Sequence, residues 1–204
     1  LPVLGIIGDF SFDEDTVSDA VTLEAEDLDN DELEYLCHSN DGNLICTVDG
    51  DQLTVQNAVE HFNGDAEILV TVQDNQGGVD NQVVTVTVIP VNDRPTVPED
   101  DIEISTNEDI SIENEPFIGE DVDGDLLIYN IQISTSNGVL TVSNNQTTWS
   151  YIPTAEFNGQ DSFTYRAFDT DTESLIDGTV IITVIPGNDA PVFDDDYDDI
   201  EFNE

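Results

Sequence analysis

Carboxylates recur in this sequence at spacings that suit a hard cation. Asp27-Leu-Asp29-Asn-Asp31 and Asp121-Val-Asp123-Gly-Asp125 each place three acids on alternate residues. Two connectors, Val88-Ile-Pro-Val-Asn92-Asp93-Arg94-Pro95 and Val184-Ile-Pro-Gly-Asn188-Asp189-Ala-Pro191, hold amide and carboxylate oxygens in stretches stiffened by proline at both ends. Oxygen donors at this density suit calcium, which takes roughly six to eight of them in flexible geometry. The aspartate runs do not form an EF-hand, which needs glycine at the sixth position and a bidentate glutamate at the twelfth. From Asp27 those positions hold Glu32 and His38, and from Asp121 they hold Leu126 and Gln132.

The elements that carry these acids come in duplicate. The two connectors lie 96 residues apart, the aspartate runs 94, and Phe62-Asn63-Gly64 returns as Phe157-Asn158-Gly159 at 95. Asp74 returns as Asp169, and Phe10-Ser-Phe-Asp-Glu14-Asp15-Thr is echoed by Ile104-Ser-Thr-Asn-Glu108-Asp109-Ile. The chain thus reads as two copies of one unit, residues 1–93 and 94–189. Residues 190–204 are expected to be a linker and the opening of a truncated third copy, because Ile200-Glu-Phe-Asn-Glu204 aligns with Ile104–Glu108. The opening Leu-Pro-Val-Leu and the lack of methionine point to a piece of a longer chain.

Within each copy the apolar period is two. Val84, Val86 and Val88 share one face of a strand, as do Ile68, Val70 and Val72; Phe163, Tyr165 and Ala167; and Val180, Ile182 and Val184. Turn dipeptides such as Asp49-Gly50, Asn137-Gly138 and Asp177-Gly178 separate the runs, and no window shows a helical stripe. Short strands with regular turns predict a β-sandwich in each copy. Pro90 and Pro186 lack the N–H that a ladder needs and should end their strands. Trp149 and Tyr151 alternate in one strand and are expected in the core.

The 47 acidic residues face 2 basic ones, for a formal charge of −45. Such a balance excludes nucleic acid and anionic membrane surfaces as partners and favours cations. A salt-adapted surface would account for the charge as a whole, though not for acids fixed at matching positions. No apolar run approaches the roughly 20 residues of a membrane span. Cys37 and Cys46 flank Asp41-Gly42, a two-residue turn signal. A hairpin closed there would set the cysteines opposite each other within disulfide range, in an oxidising compartment; two buried free thiols are the alternative.

Pro-x-Asn-Asp-x-Pro junctions, an early Glu-Asp and a later Asp-x-Asp together resemble tandem cadherin-like repeats. The stretch Tyr151-Ile-Pro-Thr-Ala-Glu-Phe-Asn-Gly-Gln-Asp-Ser-Phe-Thr-Tyr165 is similar to the bacterial versions in large secreted or surface proteins. The resemblance implies an all-β chain: two tandem Greek-key β-sandwich (cadherin/Ig-like) domains in an elongated arrangement. It also implies Ca2+ at the junctions. At the first, the ligands would be Glu14, Asp15, Asn92, Asp93, the carbonyl of Arg94, Asp121, Asp123 and Asp169. At the second they would be Glu108, Asp109, Asn188 and Asp189. The additional Asp-x-Glu ligand motif of the family has no clear counterpart in the first copy.

The expected function is therefore a calcium-binding adhesion or extender module, extracellular or on the cell surface. Its partners would be calcium, neighbouring repeats of the same chain, and a cell-surface protein or polysaccharide. A carbohydrate-binding accessory module of a secreted enzyme and a surface-layer component of a salt-adapted cell are the alternatives. Neither a nucleophile elbow nor a phosphate loop is present, and no enzymatic activity is expected. His38 and His61 have no histidine at the matching place in the other copy and are not expected to form a shared site.

Overall fold

The structure is a computed structural model and describes residues 1–190. The expected third copy lies outside the described residues. The chain divides into two compact units, Leu1–Asn92 and a second that begins at Asp93. Both are built of strands alone among the described residues, and no helix is long and apolar enough to cross a membrane.

The first domain contains β1 (Val3–Leu4), β2 (Phe10–Asp13), β3 (Val21–Thr22), β4 (Ala25–Glu26), β5 (Leu33–Ser39), β6 (Leu44–Asp49), β7 (Gln52–Asn57), β8 (Gly64–Asp74) and β9 (Val79–Ile89). One sheet has the order β2-β9-β8-β5, the facing sheet β3-β7-β6, and β1 pairs with β4. The second domain contains β10 (Ile102–Asn107), β11 (Ile112–Pro116), β12 (Ile128–Ile133), β13 (Gly138–Val142), β14 (Thr148–Pro153), β15 (Gly159–Phe168) and β16 (Gly178–Ile185). Its sheets are β10-β16-β15-β12 and β11-β14-β13, the same arrangement strand for strand. The β1–β4 pair is reduced there to a single bridge between Thr96 and Glu120. In both domains the first long-sheet strand runs parallel to the last, β2 with β9 and β10 with β16, while the other neighbours are antiparallel.

Alternation in the sequence maps onto burial. Ile68, Val70, Val72, Val84, Val86 and Val88 are buried in the first domain, and Phe163, Tyr165, Ala167, Val180, Ile182 and Val184 in the second. Trp149 and Tyr151 lie in the second core with Phe117, Tyr129, Phe163 and Tyr165, and Trp149 meets the Phe163 ring edge-on. β9 and β16 stop at Ile89 and Ile185, one residue short of the prolines.

Cys37 and Cys46 form a disulfide with Cα atoms 6.0 Å apart, but not across a hairpin. β5 pairs with β8 and β6 with β7, so the bond ties the edges of two facing sheets. Asp41 and Gly42 carry the chain from one sheet to the other. Asp41 Oδ1 accepts the Asn43 N–H at 2.9 Å, and Gly42 takes φ +80°, so the local turn forms without strand pairing around it. In the chain-entropy picture, closing so short a loop stabilises by about 2–3 kcal/mol. Replacing both cysteines by serine should lower the first domain's unfolding free energy by that amount and leave the second unchanged. Urea titration with domain-resolved amide exchange reads both; equal loss in the two domains would contradict the placement.

Candidate metal centres

Each domain carries acids at both of its ends. One end gathers the turn after β2, the β7–β8 loop and the exit of β9; the other gathers the β4–β5 loop and the β8–β9 hairpin. The second domain repeats this with β10, β14–β15, β16, the loop before β12, and β15–β16.

At the exit end, Glu14 is 1% exposed although it is a carboxylate. Its N–H donates to the Ile89 carbonyl at 2.9 Å, and its Oε1 accepts the Val91 N–H at 2.8 Å. Oε2 is shielded from solvent with no hydrogen bond. Glu108 repeats the arrangement: its N–H donates to Ile185, and its Oε1 accepts the Gly187 N–H at 2.5 Å. Buried carboxylates are rarely left half satisfied, because an uncompensated charge away from water is costly. Asp15 and Asp109 follow with φ of 60° and 62°, a left-handed turn that leaves both side chains at the surface.

Asp109 meets Glu156 and Asp189, with one carboxylate oxygen from each within 4.8 Å of the others. The charges of Asp189 and then Asp109 raise the Glu156 pKa, burial adding to them. Glu156 is a residue that the motif arguments passed over. Its repeat counterpart at an offset of 95 is His61, and the two share a left-handed backbone, φ 61° and 54°. His61 Nδ1 lies 4.0 Å from Asp15 Oδ2, so the histidine does occupy a repeated position, with a different side-chain type.

At the entry end, Asp121, Asp123 and Asp125 form a second cluster within 4.8 Å, and Asp27, Asp29 and Asp31 match it in the first domain. Alternate residues converge because the loop coils: Gly124 and its counterpart Asn30 take φ 78° and 61°. Asp121 Oδ1 accepts the Asp125 N–H at 3.1 Å, while its Oδ2 is buried without a hydrogen bond. Lost hydration, followed by the charges of Asp121, Asp123 and Asp169, raises the Asp125 pKa. A carboxyl whose pKa is raised by folding stabilises below its unfolded pKa and loses that contribution as pH rises through the folded value. At neutral pH Asp125 and Glu156 therefore weigh against the cation-free fold.

Asp93 joins the second domain, where its N–H donates to Asp123 Oδ2 at 2.8 Å. The Arg94 side chain reaches the Glu173 carbonyl at 3.0 Å. Asp169 is 1% exposed and spends Oδ1 on the Asp171 and Thr172 N–H groups and Oδ2 on the Thr172 hydroxyl, so it organises its own turn. Asp74 does the same with Gln76 and Gly78. Asn92 and Asn188 are exposed. The donor set is thus all oxygen except for His61, with buried, unsatisfied oxygens on Glu14 and Asp121, a pattern that fits a hard divalent cation.

Residues 92–186 match the model of the bacterial cadherin-like domain, and residues 2–87 match that of the bacterial Ig domain. Among solved structures, the EC1-2 fragment of human protocadherin-24 is 18% identical with a TM-score of 0.60, covering 92% of this chain and 99% of that one. The EC1-2 fragment of human mucin-like protocadherin is 21% identical, TM-score 0.55, over 92% and 99%. The EC22-24 fragment of mouse cadherin-23 is 14% identical, TM-score 0.57, over 91% and 65%. These are likenesses of fold. No protein with a curated function matches the chain in sequence.

Proposed function

We propose that this chain, a bacterial Ig domain followed by a bacterial cadherin-like domain, is a calcium-stiffened spacer within an extracellular or cell-surface adhesion protein. The supporting observation is a pair of carboxylate anchors. Glu14 holds the Val91 N–H in the first domain, and Asp123 holds the Asp93 N–H in the second. Only Asn92 separates the two anchored residues, so chain length alone limits the two anchored backbone points to at most about 7 Å apart. Glu14, Asp15, Asn92, Asp93, the Arg94 carbonyl, Asp121 and Asp123 would hold the ion, with Asp169 shaping the loop behind them. Glu108, Asp109, Asn188 and Asp189, joined by Glu156, would serve the following junction.

Bound calcium would supply the positive charge that these clustered carboxylates lack. Without it the acids repel: two charges 4 Å apart cost about 4 kcal/mol at an effective dielectric near 20. With ligands from both sides engaged, one interdomain arrangement is favoured over the rest. Small-angle scattering in calcium should show a narrower, more extended distribution than in chelator. Sodium chloride at matched ionic strength and magnesium should reproduce little of the change, since magnesium dehydrates reluctantly. Asp123→Ala should remove most of the calcium response and leave both domains folded. A distribution indifferent to calcium in the unmutated chain would refute the reading.

A further inference from the structure

The two domains differ at two repeated positions beside a shared tyrosine, and a cleft lies there in the first. In the second domain Phe117 stacks on Tyr129, centroids 4.9 Å apart, and both rings are buried. Gly119 permits this, since a Cβ there would stand 3.0 Å from the Tyr129 hydroxyl. At an offset of 94 the first domain has Leu23 for Phe117, Ala25 for Gly119 and Tyr35 for Tyr129. The smaller Leu23 leaves space beside Tyr35, which is only half-buried where Tyr129 is buried, with its hydroxyl against the Ala25 backbone. A cavity of about 240 Å³ beside Gly119 and Glu120 becomes one of about 560 Å³ beside Ala25 and Glu26, now bounded by Tyr35. A further cleft of about 520 Å³, lined by Glu34, Gln73 and Asp74, is also bounded by Tyr35.

The lining is specific in its chemistry. Val3, Leu4 and Leu23 give an apolar wall and Tyr35 an aromatic surface, with Glu24 and Glu26 in the lining and the Glu24 charge acting on Tyr35. Burial, then the charges of Asp51 and Glu24, raise the Tyr35 pKa, so the phenol stays neutral among negative charges. Both arginines of the chain lie in the second domain, engaged by Glu173 and Asp177. We propose that the cleft beside Tyr35 receives an arginine side chain of a basic partner polypeptide. A planar guanidinium stacks on an aromatic ring and pairs with carboxylates, and its aliphatic stem lies on an apolar wall. The field of a chain with net charge −45 concentrates basic partners at such a surface.

The test is an amide and side-chain NMR titration in saturating calcium, which keeps the metal centres occupied and separates this site from them. The probes are acetyl-Gly-Arg-Gly-amide, the same peptide with neutral citrulline, and a neutral oligosaccharide. The arginine peptide should move resonances around Leu23, Ala25 and Tyr35 and bind about tenfold more tightly than the citrulline peptide. Leu23→Phe with Ala25→Gly installs the second domain's own packing and should weaken arginine binding about tenfold. Glu24→Gln with Glu26→Gln, both at exposed positions, should weaken it similarly without touching the core. Equal binding of citrulline, shifts spread over the acidic surface, or unchanged binding by either variant would overturn the proposal. Oligosaccharide binding at Tyr35 without arginine binding would overturn it in favour of a glycan.

Discussion

Asp161→Ala should lower the stability of the second domain by about 3–5 kcal/mol, the range expected when several buried donors lose one acceptor. Asp161 is 6% exposed and accepts the N–H groups of Ser136 at 2.9 Å, Asn137 at 2.7 Å and Ser162 at 2.9 Å, with the Tyr151 hydroxyl at 3.0 Å. Alanine would strand the three N–H groups and leave the Tyr151 hydroxyl with only the Asn137 carbonyl, at 3.2 Å. Burial works to raise this carboxyl's pKa, but those donors outweigh it and hold the pKa below the usual aspartate range. Burial and then the hydrogen bond to Asp161 push the Tyr151 hydroxyl up, so it remains a donor. A depressed folded pKa contributes stability above the unfolded value near 4, and that contribution is lost as pH falls through the folded value. In urea unfolding of the second domain, the gap between wild type and Asp161→Asn should narrow progressively as pH falls from neutral through the folded pKa. A constant gap would show that the charge is not what the four donors require. Ala66 stands at this place in the first domain, where the disulfide ties the corresponding edges. Reduction should therefore weaken one domain and acid the other.

Glu14→Gln should raise the melting temperature of the first domain in chelator and remove most of its rise with calcium. The glutamine oxygen can keep the Val91 N–H while the substitution deletes a charge whose second oxygen is buried without a hydrogen bond. Removing that burden should stabilise the metal-free domain by about 1–3 kcal/mol. Calcium at 100 times its dissociation constant stabilises a competent site by about 2.7 kcal/mol, most of which the variant should forfeit. The two effects have opposite signs, so calorimetry with and without calcium separates a cation ligand from a structural acid. A variant less stable in chelator and still fully responsive would remove Glu14 from the proposed ligands.

Strand identity and facing were legible because burial imposes a period of two: Val84-Thr-Val-Thr-Val88 has one face in the core whatever its neighbours are. The duplicated acids were legible through their offsets alone. Three features were not. The Cys37–Cys46 region reads as a hairpin because Asp41-Gly42 encodes a local turn, and nothing local says that the next strand will pair in the other sheet. Glu156 and His61 hide because the repeat preserves their left-handed backbone and not their side-chain type. Asp161 has Ala66 as counterpart, so its four hydrogen bonds leave no trace in the repeat. Tertiary context decides each of these, and tandem comparison sees only what both copies keep.

Parallel pairing of the first and last strands has a mechanical consequence. β2 begins at Phe10, opposite Val86 of β9, and the strands run together to Asp13 and Ile89. β10 and β16 pair from Ile102–Val180 to Asn107–Ile185, six positions against four. Tension drawn along the polypeptide pulls the start of one partner and the finish of the other in opposite directions. The bonds between them bear that load in shear, side by side, rather than peeling one after another as in an antiparallel pair opened from its free end. The second domain has the longer backbone ladder, while the first adds side-chain bonds from residues 4–9 to β9, so each domain carries such a load over a different set of bonds.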